Sequence, residues 1–230
     1  MRFKAVLLDL DGTLLDTISD LADAANAMRQ SLDMPELPLD TLTSYVGKGS
    51  ENFVTRVLSN NSAGTVPDAH QTAHGLATFL EHYRTLNGKR TQLYPGVLEG
   101  LRAFRKAGLK MAVVTNKMEE FTHPLLIRKG LAHFFDAVVC GDTCERKKPD
   151  PMPFLHACRL LDVNPADALA IGDSINDAQA ARAAGITVLA VPYGYNEGID
   201  VRSLDVNDIV MSIDDAARWA AQKKEQSDTL

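Results

Sequence analysis

The chain opens on a short, unbroken apolar run, Ala5–Leu8, that ends in two acids, Asp9 and Asp11, and a glycine, Gly12. An apolar run of that length, bounded by turn residues, predicts a strand buried on both faces. After Thr13 the period changes. Leu21, Ala24, Ala25, Met28 and Leu32 recur at helical spacing, with Asp16 and Thr17 positioned as N-caps. Pro35 and Pro38 break that pattern. Phe53, Val54, Val57 and Leu58 form a second helical stripe, and Leu76, Phe79, Leu80 and Tyr83 a third, so residues 16–90 predict helix almost throughout and no strand. From Thr91 onward the texture becomes an alternation of strand and helix. Leu98, Leu101 and Phe104 line a helical face that stops at Gly108; Lys110–Val114 predicts a strand; residues 119–129 predict a helix closed by Gly130. Compact apolar runs follow at 137–140, 168–171 and 186–191, the last preceded by a helix-ending Gly185. Residues 208–211 add a final strand and 214–222 a closing helix with Trp219 as a packing residue, and the polar tail beyond is expected to fray.

Strands separated by helices in this way predict an α/β fold, a doubly wound parallel sheet, interrupted after its first strand by an α-helical insert. The division expected is residues 1–15 and 91–230 for the α/β core and 16–90 for the insert. A helical insert above the carboxyl edge of the sheet is placed to act as a lid.

Composition narrows the function. With 230 residues and 45% hydrophobic content the chain can build a sizeable core. A net charge of -6 argues against a nucleic-acid partner, which needs a basic face. An acidic protein that handles an anion has to concentrate positive charge locally, which a divalent cation can do. Cys140, Cys144 and Cys158 are too few for a disulfide framework and lack the second pair a structural zinc site needs. The N-terminal apolar stretch is too short for a signal peptide, and no run approaches a membrane span, so a cytoplasmic protein is expected.

The chemistry-bearing residues sit at the ends of the predicted strands. Asp9 and Asp11 follow the first; Thr115 and Asn116 follow 110–114; Lys148, in Lys147-Lys148-Pro149-Asp150-Pro151, follows 137–140; Asp173 and Asp177, in Gly172-Asp173-Ser174-Ile175-Asn176-Asp177, follow 168–171. Parallel strands bring these four loops to one edge, where open α/β sheets bind their ligands. The set suits phosphoryl transfer. Asp9 can act as a nucleophile. Thr115 and the Asn116 backbone N–H can receive phosphoryl oxygens, Lys148 supplies a compact positive charge, and Asp9 with Asp173 offers hard oxygen ligands suited to Mg²⁺.

Together, Asp9-Leu10-Asp11-Gly12-Thr13, Thr115-Asn116, Lys148-Pro149 and Gly172-Asp173-Ser174 with Asp177 resemble, in order, the four motifs of haloacid dehalogenase-type phosphatases, over roughly residues 3–215. The insert resembles that family's helical cap. The resemblance implies Asp9 as nucleophile and Asp11 as general acid and then base. It implies Mg²⁺ held by the Asp9 and Asp173 side chains and the Asp11 backbone carbonyl, with Asp177 behind the metal or orienting Lys148. The chain is most similar to phosphoglycolate phosphatases, through Asp9–Thr17, the cap stretch Tyr45-Val46-Gly47-Lys48-Gly49, and Tyr193-Gly194-Tyr195. That branch implies a small phosphorylated metabolite as substrate, 2-phosphoglycolate first, and a monomer or homodimer. Gly47, Lys48 and Arg56 are the cap's candidates for substrate choice, the two cations to meet a substrate carboxylate.

Other readings compete. The same site serves a phosphatase for another small phosphoester or a sugar phosphomutase. A phospho-receiver module also combines acids, a hydroxyl and a lysine, but needs no helical insert, and its phosphoacceptor ends a later strand. His70, His74 and His82 share a helical face without an acidic partner motif and read as surface residues, and Lys147 as a solvated neighbour of Lys148.

Overall fold

A computed structural model describes residues 3–60 and 66–225; the polar tail after residue 225 lies outside the described residues. In chain order the elements are β1 (Ala5–Leu8), β2 (Leu15–Asp16), α1 (Ile18–Ser31), α2 (Leu39–Thr43), α3 (Ser50–Ser59), α4 (Ala69–Leu86), β3 (Gln92–Leu93), α5 (Val97–Lys106), β4 (Lys110–Val114), α6 (Glu119–Arg128), β5 (Ala137–Val139), α7 (Met152–Leu161), β6 (Ala168–Gly172), α8 (Ile175–Ala183), β7 (Thr187–Ala190), β8 (Asp208–Ile209) and α9 (Ile213–Glu225).

Six strands form one parallel sheet in the order β5-β4-β1-β6-β7-β8. The chain builds outward from β1 first through β4 to β5, then returns to β6 on the other side of β1. The reversal falls between β4 and β6, so the carboxyl end of β1 lies at the topological switch point. Period-two alternation divides β1 between two cores. Val6 and Leu8 pack with Met111, Val113, Leu169 and Ile171 under Leu101, Phe104 and Ile213 of α5 and α9. Ala5 and Leu7 pack with Ala112, Val114, Ala168 and Ala170 under Phe154 and Ala157 of α7 and Ala180 and Ala181 of α8. Burial on both faces is what an unbroken apolar run requires.

Helices α1–α4 form a separate core in which Leu21, Met28, Phe53, Val57, Phe79 and Tyr83 are buried together. The chain leaves and re-enters the sheet domain through a small antiparallel ribbon, Leu15 paired with Leu93 and Asp16 with Gln92. Two-residue strands carry no periodicity, so the helical reading from residue 16 missed the ribbon.

Two side chains anchor this connection. Asp20, fully buried, accepts hydrogen bonds from the backbone N–H groups of Gly88, Arg90 and Thr91 at 2.8, 2.8 and 3.1 Å and from the Thr91 hydroxyl at 2.6 Å. It ties the outgoing helix to the returning strand. Thr17 occupies the N-cap of α1, but its hydroxyl does not cap. The Tyr195 hydroxyl instead accepts from the Thr17 and Ile18 N–H groups at 2.7 and 2.9 Å and donates to Asp16 at 2.6 Å. One phenol thereby satisfies two orphan donors of the helix start.

Candidate active site

Each parallel strand delivers its following loop to the same edge. There Asp9 is 7% exposed, Lys148 4%, and Asp173 and Asp177 2% each. The Lys148 ammonium has three N–H groups and three acceptors: Asp9 Oδ1 at 2.6 Å, Asp177 Oδ1 at 2.7 Å and the Val114 carbonyl at 2.7 Å. Its peptide bond to Pro149 is cis. The loop carrying it is clamped by the Asn116 side chain, whose Oδ1 accepts the Lys148 N–H at 3.0 Å and whose Nδ2 donates to the Lys148 carbonyl at 3.0 Å. The same Nδ2 donates to the Gly47 carbonyl of the helical insert at 2.9 Å. Asn116 was expected to act through its backbone; its side chain also joins two motif loops and the insert.

Asp173 accepts from the Thr13 hydroxyl at 2.9 Å and from the Tyr195 N–H at 2.5 Å. The approach is close enough that a Cβ on Gly12, which has φ +89°, would lie 2.5 Å from Asp173 Oδ2. Asp177 accepts from the Ser174 hydroxyl at 2.6 Å and N–H at 3.2 Å, which together with Lys148 fixes both of its oxygens. Thr115, 3% exposed, accepts from the Lys117 N–H at 3.1 Å.

Asp9, Asp173 and Asp177 each present a carboxylate oxygen within 4.8 Å of the others. Burial pushes the Asp9 carboxyl up to about 7 against the pull of Lys148, with the Asp177 and Asp11 charges adding to the rise. Burial, then the Asp9 and Asp177 charges, push Asp173 up as well. Burial alone would depress Lys148, but Asp177 and Asp9 more than offset it and raise it. Asp9 and Asp177 share one ammonium and Asp173 is held by the neutral donors of Thr13 and Tyr195, so three buried carboxyls stand against a single cation. Hard oxygen donors in that state fit Mg²⁺, for which Asp9 and Asp173 have the right chemistry.

Asp11 stands apart from this trio and meets a residue that the motifs did not single out. Lys117 Nζ lies 3.1 and 3.3 Å from the two Asp11 carboxylate oxygens and donates to the Tyr83 hydroxyl at 2.7 Å. Tyr83 had read only as one member of a helical stripe. Its ring packs against Phe79 and Phe121 with centroids 5.5 and 4.8 Å away. The available signal for Lys117 was its position directly after Thr115-Asn116; nothing in a single sequence links it to Tyr83, 34 residues away.

A cavity opens over these groups. Asp9, Asp11, Thr115, Asn116, Lys117, Lys148, Asp173 and Asp177 line its sheet side, and Leu21, Val46, Gly47, Ser50, Phe53, Phe79 and Tyr83 line its helical side. Lys48 and Arg56 are not among the lining residues. Both turn to Glu197 in the loop after β7, at 3.0 and 3.2 Å, and the Arg56 guanidinium lies 4.5 Å above the Tyr45 ring. Lys48 and Arg56, expected to face a substrate carboxylate, are held in this structure by a carboxylate of the sheet domain. Gly47 does line the cavity. His70 and His74 are exposed, and neither joins the acidic cluster.

The haloacid dehalogenase-like hydrolase family model matches residues 6–191. A phosphoglycolate phosphatase of Nitrosospira multiformis is 52% identical over 218 residues, covering 95% of this chain and 96% of its own length. A second, from Thiobacillus denitrificans, is 47% identical and covers 94% and 95%. Among solved structures, that of a predicted phosphoglycolate phosphatase from Haemophilus somnus superposes with a TM-score of 0.91 at 29% identity, covering 96% of this chain and 99% of the other. The chain belongs to the haloacid dehalogenase-like hydrolases, as an enzyme of their phosphatase branch.

Proposed function

We propose that the enzyme hydrolyses 2-phosphoglycolate to glycolate and phosphate, with Mg²⁺ as cofactor and a phosphoryl group carried transiently on Asp9. The observation that carries this reading is the floor of the cavity: a buried aspartate held by a lysine, with a second aspartate, Asp11, beside it but outside the lysine's reach. Two adjacent carboxylates with different partners can take different roles.

In this reading Asp9 Oδ attacks phosphorus as the P–O bond to glycolate breaks, and Asp11 gives its proton to the departing oxygen. Water then attacks the aspartyl-phosphate, Asp11 takes the water's proton, and Asp9 is released as a carboxylate. Lys148 stays paired with Asp9 and offsets charge on the transferring group, Thr115 receives a phosphoryl oxygen, and Asn116 holds the Lys148 loop in register. Phosphatases of this family generally use Mg²⁺; Asp9 and Asp173 would hold it, and it would supply positive charge against the cluster and Lewis acidity toward the phosphoryl group. Residues 16–90, as the cap, exclude water and supply the apolar wall. The relatives named as phosphoglycolate phosphatases support the substrate. The free thiols of Cys140, Cys144 and Cys158 support a cytoplasmic setting.

The test is a set of initial rates with Mg²⁺ on small phosphoesters: 2-phosphoglycolate, sugar monophosphates and ethyl phosphate. The highest kcat/KM is expected for 2-phosphoglycolate with phosphate released. A higher value for a sugar phosphate, or an isomerised sugar phosphate without phosphate release, would overturn the assignment.

A further inference from the structure

Resting on the reading of the substrate as a phosphorylated carboxylic acid, we infer that Lys117, with the phenol of Tyr83 beside it, is the subsite for the substrate's carboxylate. The charges lining the cavity leave little choice. Its ammonium groups are those of Lys148 and Lys117, and Lys148 has all three N–H groups engaged by Asp9, Asp177 and Val114. Lys48 and Arg56, two further cations of that neighbourhood, pair with Glu197 and do not line the cavity. Lys117 is buried, and its two partners, Asp11 and Tyr83, both belong to the cavity wall.

Reach agrees with charge. If Asp11 delivers a proton to the bridging oxygen of 2-phosphoglycolate, that oxygen lies within hydrogen-bond distance of Asp11. The carboxylate carbon is two bonds further on, about 2.5 Å. Lys117 Nζ is 3.1 Å from Asp11, so it sits beside the place where the second anionic group of so short a substrate has to fall. The helical side of the cavity adds the apolar Leu21, Val46, Phe53 and Phe79 and, in Ser50, a neutral hydroxyl, so it brings no cation to compete with Lys117. In such surroundings a charge-assisted pair is stronger than at a surface.

The arrangement also ties recognition to assembly of the two halves. Lys117 comes from the loop after β4 and Tyr83 from α4 of the helical insert, so the paired donors exist only where the insert covers the sheet edge. Lys117 also sets a positive charge beside Asp11, which lowers the repulsion an incoming anionic substrate meets. When the substrate's carboxylate arrives, it takes up the Lys117 and Tyr83 donors.

The experiment compares kcat/KM for 2-phosphoglycolate with kcat/KM for ethyl phosphate, its analogue without the carboxylate, and reads their ratio. If the unmodified enzyme shows no preference for 2-phosphoglycolate, the substrate reading fails before the subsite is tested. Given that preference, Lys117→Met is expected to lower the ratio roughly 10- to 150-fold, the worth of one charge-assisted hydrogen bond. Lys117→Arg, which keeps the charge, should retain most of the preference, and Tyr83→Phe should lower it by about threefold to tenfold. Lys147, exposed and with its Nζ 3.3 Å from where a Cβ on Gly49 would lie, is the rival cation at the rim, and Lys147→Met is expected to leave the ratio in place. The inference is overturned if Lys117→Met slows both substrates equally, since Lys117 would then serve Asp11 alone, or if the ratio collapses in Lys147→Met instead. Should Lys117→Met not fold, Lys117→Gln carries the same two outcomes.

Discussion

The floor and the rim of the cavity each hold cations against carboxylates, yet the two pairings differ in kind. On the floor, Lys148 meets Asp9 and Asp177 with side chains no more than 10% exposed, and the partners come from the end of β1 and the first turn of α8. At the rim, Lys48 and Arg56 meet Glu197 with cation side chains 44% and 32% exposed. Removing a buried partner leaves an uncompensated charge in a poor solvent, whereas an exposed partner is replaced by water. The floor is therefore intolerant of change and its residues can be read from motif order. The rim is tolerant, and its partners follow from how the insert happens to lie on the sheet domain.

The contrast is most sharply tested on the floor. Lys148→Met is expected to cut kcat by about 10³-fold, as loss of a preorganised charge does in comparable sites; steady-state rates within tenfold of the unmodified enzyme would put Lys148 on a footing with the rim cations. At the connection between the halves, Asp20→Ala strands four donors in a buried place. It should lower stability by about 3 kcal/mol, read as a loss of roughly 6–12 °C in Tm, and a change under 2 °C by calorimetry would remove Asp20 from that role.

A pH effect of intermediate size belongs to the floor alone. Folding raises Asp9 from its ordinary 3.8 to about 7, and raises Asp173 in the same sense. Between those pH values the folded chain keeps a proton that the unfolded chain has lost. Asp9 therefore costs stability progressively as pH rises from about 4 to about 7, and Asp173 acts in the same direction. A cation on the ionised cluster reverses the cost, so the Tm gained on adding Mg²⁺ should be several degrees larger near pH 7.5 than near pH 5. Equal gains at both pH values would show that the cluster is not where Mg²⁺ acts.

The smallest effect is expected at the rim. Lys48→Ala combined with Arg56→Ala removes exposed ion pairs worth about 0.5 kcal/mol each, and should change the preference for 2-phosphoglycolate over ethyl phosphate by less than about fivefold. A larger drop would return these cations to substrate recognition and narrow the difference between floor and rim.

Much of the fold could be read from periodicity because burial is written into it. The runs at β1 and β4 are continuous and apolar since both of their faces are covered, and the strand at Lys110–Val114 is found with the bounds expected of it. The β2–β3 ribbon escaped because two residues cannot display a period. The Tyr195 hydroxyl escaped for another reason: Thr17 has the right residue type for an N-cap, and nothing local shows that its hydroxyl makes no cap bond while a phenol from the far end of the chain takes the Thr17 and Ile18 N–H groups. Among the residues that line the cavity, Asp9, Thr115, Lys148 and Asp173 were legible because strand ends announce them. Lys117 and Tyr83 were not, because their pairing joins a core loop to a cap helix.

By itself, the sequence determined the parallel order of strands and helices, the acids and the lysine at the strand ends, and the chemistry those groups share. These depend on short-range pattern and on a topology that sends every strand end to one edge. The tertiary structure decided which cation faces which carboxylate: Lys148 to Asp9 and Asp177, Lys117 to Asp11, Lys48 and Arg56 to Glu197. Charge pairing acts over a few ångströms in space and without regard to separation along the chain, so only the folded arrangement of cap on sheet could assign it.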